Sequence, residues 1–344
     1  MNEQQNNEAG KPKRFADVAR EMKTLLGVPA ARPAMAISKR KKNGLFIIKP
    51  ANWWQDEAKN CAVPRQLFRE LWHEGEVCIL FADTNTGKSI LAVQIGEEIS
   101  ADQLVLYFDF EMGKKQFETR YSNKYEHHYV FRENLHRVEI DADAEVPEGM
   151  LFEEYLNDCM EEAIVETGAK ILIIDNLTYL RQETEQAKDA LPLMKELKKL
   201  KNKHGLSILC LAHTPKRDMS KPITRNDLQG SKMLINFCDA AFSIGESASD
   251  NTLRYIKQIK ARNTEVVYDS QNVIVARITK PDNFLRFEFI GCGAEWDHLK
   301  SVDQEREDLK LKVQELHQQG QSCRQIGEAL GIHYATASRI LKKM

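Results

Sequence analysis

Gly87, Lys88 and Ser89 stand together in a stretch built to hold phosphate. Ala82, Asp83, Thr84, Asn85, Thr86, Gly87, Lys88 and Ser89, with Ile90 after them, nearly match the pattern G-x-x-x-x-G-K-S/T; Ala82 replaces the first glycine. Backbone N–H groups of such a loop wrap phosphate oxygens, and the next helix points its positive end at them. Lys88 would reach the β- and γ-phosphates, and the Ser89 hydroxyl would ligate Mg2+. Gly87 must let backbone approach phosphate closely, whereas Ala82 is tolerable if its φ stays negative. Asp83 and Asn85 adopt unusual turn conformations at modest cost. The pattern therefore expects a nucleoside triphosphate with Mg2+.

Mg2+ needs a second acidic group, and the run Ile171 to Ile174 ends in Asp175. A carboxylate at the C-terminal end of an apolar strand lies where ligands gather on open parallel sheets. Hydrolysis also needs a group that orients or deprotonates water. Asn176 follows Asp175, so the next position offers no carboxylate; Asp109 and Glu111 stand at the end of another apolar run.

Strands must carry these residues. The runs Val77–Phe81, Leu104–Phe110, His136–Ile140, Ile171–Asp175 and Ser207–Ala212 read as buried strands, with helices near 88–100, 113–124, 148–167 and 183–204. That alternation predicts an α/β fold with a mostly parallel sheet covered on both faces. Shorter strands follow at Ala240–Ile244, Leu253–Ile259, Val273–Thr279 and Leu285–Ile290, the last two as an antiparallel hairpin turning at Pro281 to Asn283.

The flanks differ. Residues 1–61 form an N-terminal extension: a polar start, a short helix with Phe15, Val18, Met22 and Leu25 on one face, and the basic tether Lys39 to Lys42. Residues 62–300 form the α/β domain, and 301–344 a small all-α domain. There Leu309, Val313 and Leu316 mark one helix. Ser322 and Gln325 make a capping box opening a second, Gly331 turns the chain, and Tyr334–Lys343 forms a third. The last helix exposes Tyr334, Thr336, Ser338, Arg339 and Lys342, and from Arg324 onward four Lys/Arg face one Glu. This segment resembles helix-turn-helix domains of the resolvase and transposase type, which implies DNA binding; a protein-docking module is the other reading.

The whole chain, 344 residues with net charge −2, is no polycation, so DNA contact must come from local basic surface. Seven scattered cysteines without C-x-x-C spacing read as reduced and cytosolic. No apolar leader and no run of membrane-spanning length is present, so no membrane partner is expected.

The Glu111-Met112 pair followed by Arg120 resembles the DnaB-type helicases and the wider RecA-like group, and residues 62–292 resemble the RecA-like ATPases related to RepA, DnaB and KaiC. Classical AAA+ ATPases carry a glutamate where Asn176 stands, so the chain departs from that class. By the resemblance Glu111 is the catalytic base, with Asp109 as substitute, and Arg120 or Tyr121 flanks the adenine. His213, ending a strand, senses the γ-phosphate. Lys216, Arg217, Lys221 and Arg225 lie on a loop leading to Leu228–Lys232 that faces DNA in related rings; a solvated loop is the alternative. Lys260 and Arg262 resemble a Lys-x-Arg-Asn finger reaching a neighbouring subunit's γ-phosphate. The resemblance implies a homo-hexameric or other ring acting on DNA, a helicase or translocase of a bacterial mobile element. From another class comes a DNA-binding regulator or loader in which ATP only switches conformation.

Overall fold

The structure is a computed structural model that describes residues 46–180, 187–215, 217–228, 232–300 and 302–342. The expected helix at Phe15–Leu25, the tether Lys39–Lys42, Lys216 and Gln229–Ser231 lie outside the described residues. The chain divides into two units after Ala62. In the first, Pro50 precedes helix α1 (Ala51–Ala58), where Trp53 and Trp54 meet edge to face at 4.9 Å.

The second unit opens with two short paired strands, β1 (Gln66–Phe68) and β2 (Trp72–His73). The alternation then follows: β3 (Val77–Ala82), α2 (Lys88–Ile99), β4 (Val105–Asp109), α3 (Lys114–Arg120), a small hairpin of β5 (Ser122–Asn123) and β6 (His127–His128), β7 (Leu135–Val138), α4 (Phe152–Thr167), β8 (Ile171–Asp175), α5 (Ala187–His204) and β9 (Ser207–His213). After α6 (Lys232–Phe237) come β10 (Ala240–Glu246), β11 (Leu253–Lys260), β12 (Val273–Thr279) and β13 (Arg286–Gly293). Helices α7 (Val302–Gln318), α8 (Cys323–Leu330) and α9 (Tyr334–Lys342) close the chain.

The central sheet has the order β13-β12-β11-β10-β3-β9-β8-β4-β7. From β10 to β7 all neighbours are parallel; β11, β12 and β13 add an antiparallel flank. The fold class is the expected one, a mixed α/β sheet with a small helical domain. β3 shows why the interior strands read as unbroken apolar runs. Cys78, Leu80 and Ala82 join the core on one face with α2, while Val77, Ile79 and Phe81 join the core on the other with α4, α5 and α6. Period-two alternation thus serves two cores at once.

The order also explains where chemistry collects. β9 lies between β3 and β8, with Ala82 opposite His213; β4 lies beside β8, with Asp109 opposite Asp175. Four strand ends therefore meet at one edge.

The three C-terminal helices keep a separate core of Val313, Ile326 and Ala337, ringed by Leu309, Leu316, Leu330, Ile340 and Leu341. The Ser322–Gln325 capping box forms as expected, and Gly331 turns the chain at φ 65°. Gly327 is sterically required: a Cβ there would stand 2.8 Å from the Ile332 carbonyl oxygen.

Candidate nucleotide site

Ala82 is the last residue of β3, fully buried between β9 and β10, and is not among the residues with positive φ. A strand residue has extended backbone, so a first glycine is unnecessary here. The loop's turning is done by Asn85, at φ 63°, and Gly87, at φ 103°. Asp83 Oδ1 accepts from the Thr84 N–H at 2.7 Å, and the Thr86 hydroxyl donates to the Asp83 carbonyl at 2.8 Å. Gly87 is also crowded: a Cβ would stand 2.9 Å from the Phe287 ring and 3.0 Å from Ile278. The β12–β13 hairpin thus packs directly on the loop.

Lys88, 7% exposed, donates to the Ala82 and Asp83 carbonyls at 3.0 and 2.9 Å and lies 3.3 Å from His213 Nδ1. Burial lowers its pKa, opposed by the charges of Asp175, Glu111 and Asp83. On the other side of the ring, His213 Nε2 lies 3.2 Å from Glu111 Oε1 and 3.1 Å from Asn176 Nδ2. The tautomer follows from the partners. An ammonium can only donate, so Nδ1 accepts and Nε2 carries the proton toward Glu111. Asn176 then contributes through its own bond to Glu111 Oε1, while its Oδ1 accepts from the Thr178 N–H at 2.8 Å. Glu111 is pulled below the usual carboxylate range by the His213 hydrogen bond, against burial, with help from Lys88 and Arg120.

Asp175 is fully buried, and burial pushes its pKa up to about 6 against the Ser89 and Tyr107 hydroxyls. Tyr107 donates to Oδ2 at 2.7 Å. The Ser89 hydroxyl is near enough to favour the charge, yet Oδ1 has no protein donor in full hydrogen-bonding geometry. A buried carboxylate oxygen without a donor, beside a serine hydroxyl, is a fitting pair of hard ligands for Mg2+. Among the described residues no three His, Cys, Asp or Glu cluster to hold a metal unaided.

The structure thus brings Lys88, Ser89, Glu111, Asp175 and His213 together. Asp109 lies near them but is not available as a base. Its Oδ1 accepts from the Glu111 and Met112 N–H groups and its Oδ2 from Arg137. Tyr121 is buried against Phe117, Phe131 and Phe284, so it cannot flank a base. Arg120 ends α3, where the Leu285 N–H meets its carbonyl at 3.3 Å, and its Nη1 is buried without a partner.

Lys260 and Arg262 lie apart. Lys260 Nζ donates to the carbonyls of Ile235 and Cys238 at 2.5 and 2.7 Å, capping the end of α6. Arg262, half exposed, pairs with Asp239 at 2.9 Å, and Asp239 also accepts from the N–H of Val77, where β3 begins. That is roughly 16 Å along β3 from Ala82, at about 3.3 Å per residue.

The basic loop also departs from expectation. Arg217 turns inward, its Nε and Nη1 buried and its charge acting on the buried Tyr255 hydroxyl. Lys221 pairs with Asp218 at 2.8 Å, and Arg225 is exposed. On α9, Tyr334, Arg339 and Lys342 are exposed and Thr336 and Ser338 half-buried.

The AAA domain family matches residues 47–219, half of the chain and all the strand ends of the site. The chain belongs to the AAA domain family. With this loop at the end of β3 it is a P-loop ATPase of that family. Asn176 follows Asp175, and the carboxylate that faces His213 is that of Glu111, after β4. A homeodomain-like domain matches residues 304–344 and covers α7, α8 and α9. A comparison with curated proteins gives no match. Similar solved structures include a KaiC-like protein from the archaeon Pyrococcus horikoshii, at 14% identity over 63% of this chain and 91% of that one, TM-score 0.44. Another is a DnaB-like replicative helicase, at 14% identity over 62% of this chain, TM-score 0.48; this chain spans 57% of that helicase. No described helix of this AAA-family chain is long and apolar enough to cross a membrane.

Sequence reasoning passed over Tyr107, Arg137 and Asn176 as site residues. Asn176 was visible as the neighbour of Asp175. Tyr107 and Arg137 had no local signal, because strand order and register alone bring them in.

Proposed function

We propose that this chain is a Mg2+-dependent ATPase that acts on DNA as a ring, a RepA-like helicase or translocase of a bacterial mobile element working in the cytoplasm. The observation that carries this reading is the meeting of Lys88, Ser89, Asp175, Glu111 and His213 at neighbouring strand ends. In it, the loop N–H groups and Lys88 bind and orient the phosphates. Ser89 and Asp175 hold Mg2+, which supplies charge neutralisation on the phosphate oxygens. Glu111 orients the attacking water, His213 links that group to the γ-phosphate, and Arg120 lies against the base.

Arg262 stands too far from its own Lys88 to serve the same site, which supports action in a neighbour's. A site completed between subunits makes hydrolysis depend on assembly. Residues 301–344 are the DNA-binding domain, with Tyr334, Thr336, Ser338, Arg339 and Lys342 toward the duplex, appended to an ATPase domain of residues 62–300.

One observation favours the second reading, a loader or regulator. Arg217 is turned inward and Lys221 is paired with Asp218, which leaves Arg225 as the exposed cation of the loop without an ion pair among the described residues. DNA contact then rests with the C-terminal domain. Imaging the protein with a non-hydrolysable ATP analogue and forked DNA tests the proposal. A ring around a strand, with strand displacement in ATP, is expected. Protein on duplex without a ring and without displacement contradicts the motor and leaves the loader. Truncation before Val302 is expected to weaken duplex binding at least tenfold by gel shift; unchanged affinity would make the tail a protein-docking module.

A further inference from the structure

Glu111 belongs to no regular element; it lies in the short connection between β4 and α3. A catalytic group on a loop needs something rigid to aim it. Asp109, the last residue of β4 and 3% exposed, grips that connection from one side. Its Oδ1 accepts from the N–H groups of Glu111 and Met112 at 3.2 and 2.9 Å. Its Oδ2 accepts from Arg137 Nε at 2.8 Å. Arg137 grips from the other side: its Nη2 donates to the Met112 carbonyl at 2.6 Å. The guanidinium lies over the Phe117 ring at 4.7 Å, and Glu139 engages its remaining arm. Every atom of the fork has a task, which Lys could not reproduce.

We propose that Asp109 and Arg137 form a positioning clamp that sets the Glu111 carboxylate against His213 and Asn176. This rests on the reading of Glu111 as the water-orienting group. Neither clamp residue touches the reacting atoms. Asp109 acts through two backbone N–H groups and Arg137 through one carbonyl, so together they fix the peptide planes on either side of the loop's turn. Arg137 lies on β7, whose ladder is with β4 at the sheet's end. The edge strand therefore has a part in catalysis that its exposed position would not suggest.

The test is a cycle with Glu111. Asp109→Asn keeps the shape and one acceptor but removes the charge opposite Arg137; Arg137→Lys keeps charge and loses the fork. Turnover of ATP by each is expected to fall about 10- to 100-fold, the scale of a misplaced catalytic group. Affinity for a fluorescent ATP analogue should stay within about twofold, because Lys88 and its loop are untouched. Glu111→Gln should lose turnover outright, and adding Asp109→Asn to it should slow nothing further, since there is no longer a carboxylate to aim.

Wild-type turnover in both clamp variants, with Glu111→Gln inactive, would overturn the clamp alone. So would equal losses of turnover and analogue affinity, or multiplicative losses in the double variant, either of which marks a merely structural pair. Full turnover in Glu111→Gln would overturn the reading of Glu111 and the clamp with it.

Discussion

At the start of β3, Asp239 accepts from the Val77 N–H and from Lys201, both at 3.1 Å, and from Arg262 at 2.9 Å. At the far end, Asp175 accepts from Tyr107 at 2.7 Å and keeps Oδ1 without a donor. Both are buried carboxylates with hydroxyls or cations nearby, yet their charges are treated oppositely. Burial works against Asp239, but the Val77 N–H and Lys201 prevail and hold it below the ordinary aspartate range. Burial prevails at Asp175 and lifts it to about 6. Satisfied charge holds a fold together; charge left unsatisfied waits for something else to satisfy it. The difference sets the two ends of the sheet apart better than residue types do.

Arg262 breaks or sharpens this contrast most. On its own chain it belongs to the satisfied end; in a ring it would complete a neighbour's site. Arg262→Ala is expected to bind the ATP analogue normally and lose about a thousandfold in turnover, the effect of removing such a finger. Mixing it with Lys88→Ala protein should restore part of the activity, because each supplies what the other lacks. Loss of stability without selective loss of turnover would return Arg262 to a purely structural role.

Gly87→Ala comes next. The substitution adds a Cβ at φ 103° and 2.9 Å from Phe287, so it strains the backbone and the hairpin together. A stability loss of about 2 kcal/mol is expected. Weakened analogue binding should accompany it, read by urea unfolding and fluorescence. Unchanged binding would mean that the hairpin does not shape the loop.

At the satisfied end the expected effect is one of stability. Asp239→Asn should cost about 3 kcal/mol at neutral pH by breaking a paired buried charge. The native pKa lies below the unfolded one, so this contribution is complete above about pH 4, the ordinary aspartate value. It is lost as pH falls through the lower native value. Urea unfolding of wild type and variant should converge in acid. A difference that grows in acid would contradict the assignment.

Much of this was legible in the chain itself. Val77–Phe81, Ile171–Asp175 and Ser207–Ala212 were readable as strands because parallel burial leaves unbroken apolar runs. β1, β2 and the β5–β6 hairpin were not, being two or three residues long and without a period to detect. At the site, Lys88 and Asp175 could be found from motif and strand-end position, and Glu111 and His213 from the resemblance to RecA-like ATPases. Their mutual contacts could not, because these depend on β9 lying between β3 and β8. Ala82 looked like a defect in the pattern until the strand was seen to run through it. Lys260 shows the opposite risk: its spacing to Arg262 suggests a finger, yet its ammonium is spent on the carbonyls ending α6.

The cluster of strand ends around Lys88 and Asp175 is expected to hydrolyse ATP. Steady-state ATP turnover with Mg2+, wild type beside Lys88→Ala, tests it most directly. The wild type should turn over ATP, and Lys88→Ala should be slower by about a thousandfold, the loss of a charge aimed at the transferring phosphoryl group. Equal rates in the two proteins, or no turnover by the wild type with or without DNA, would contradict it.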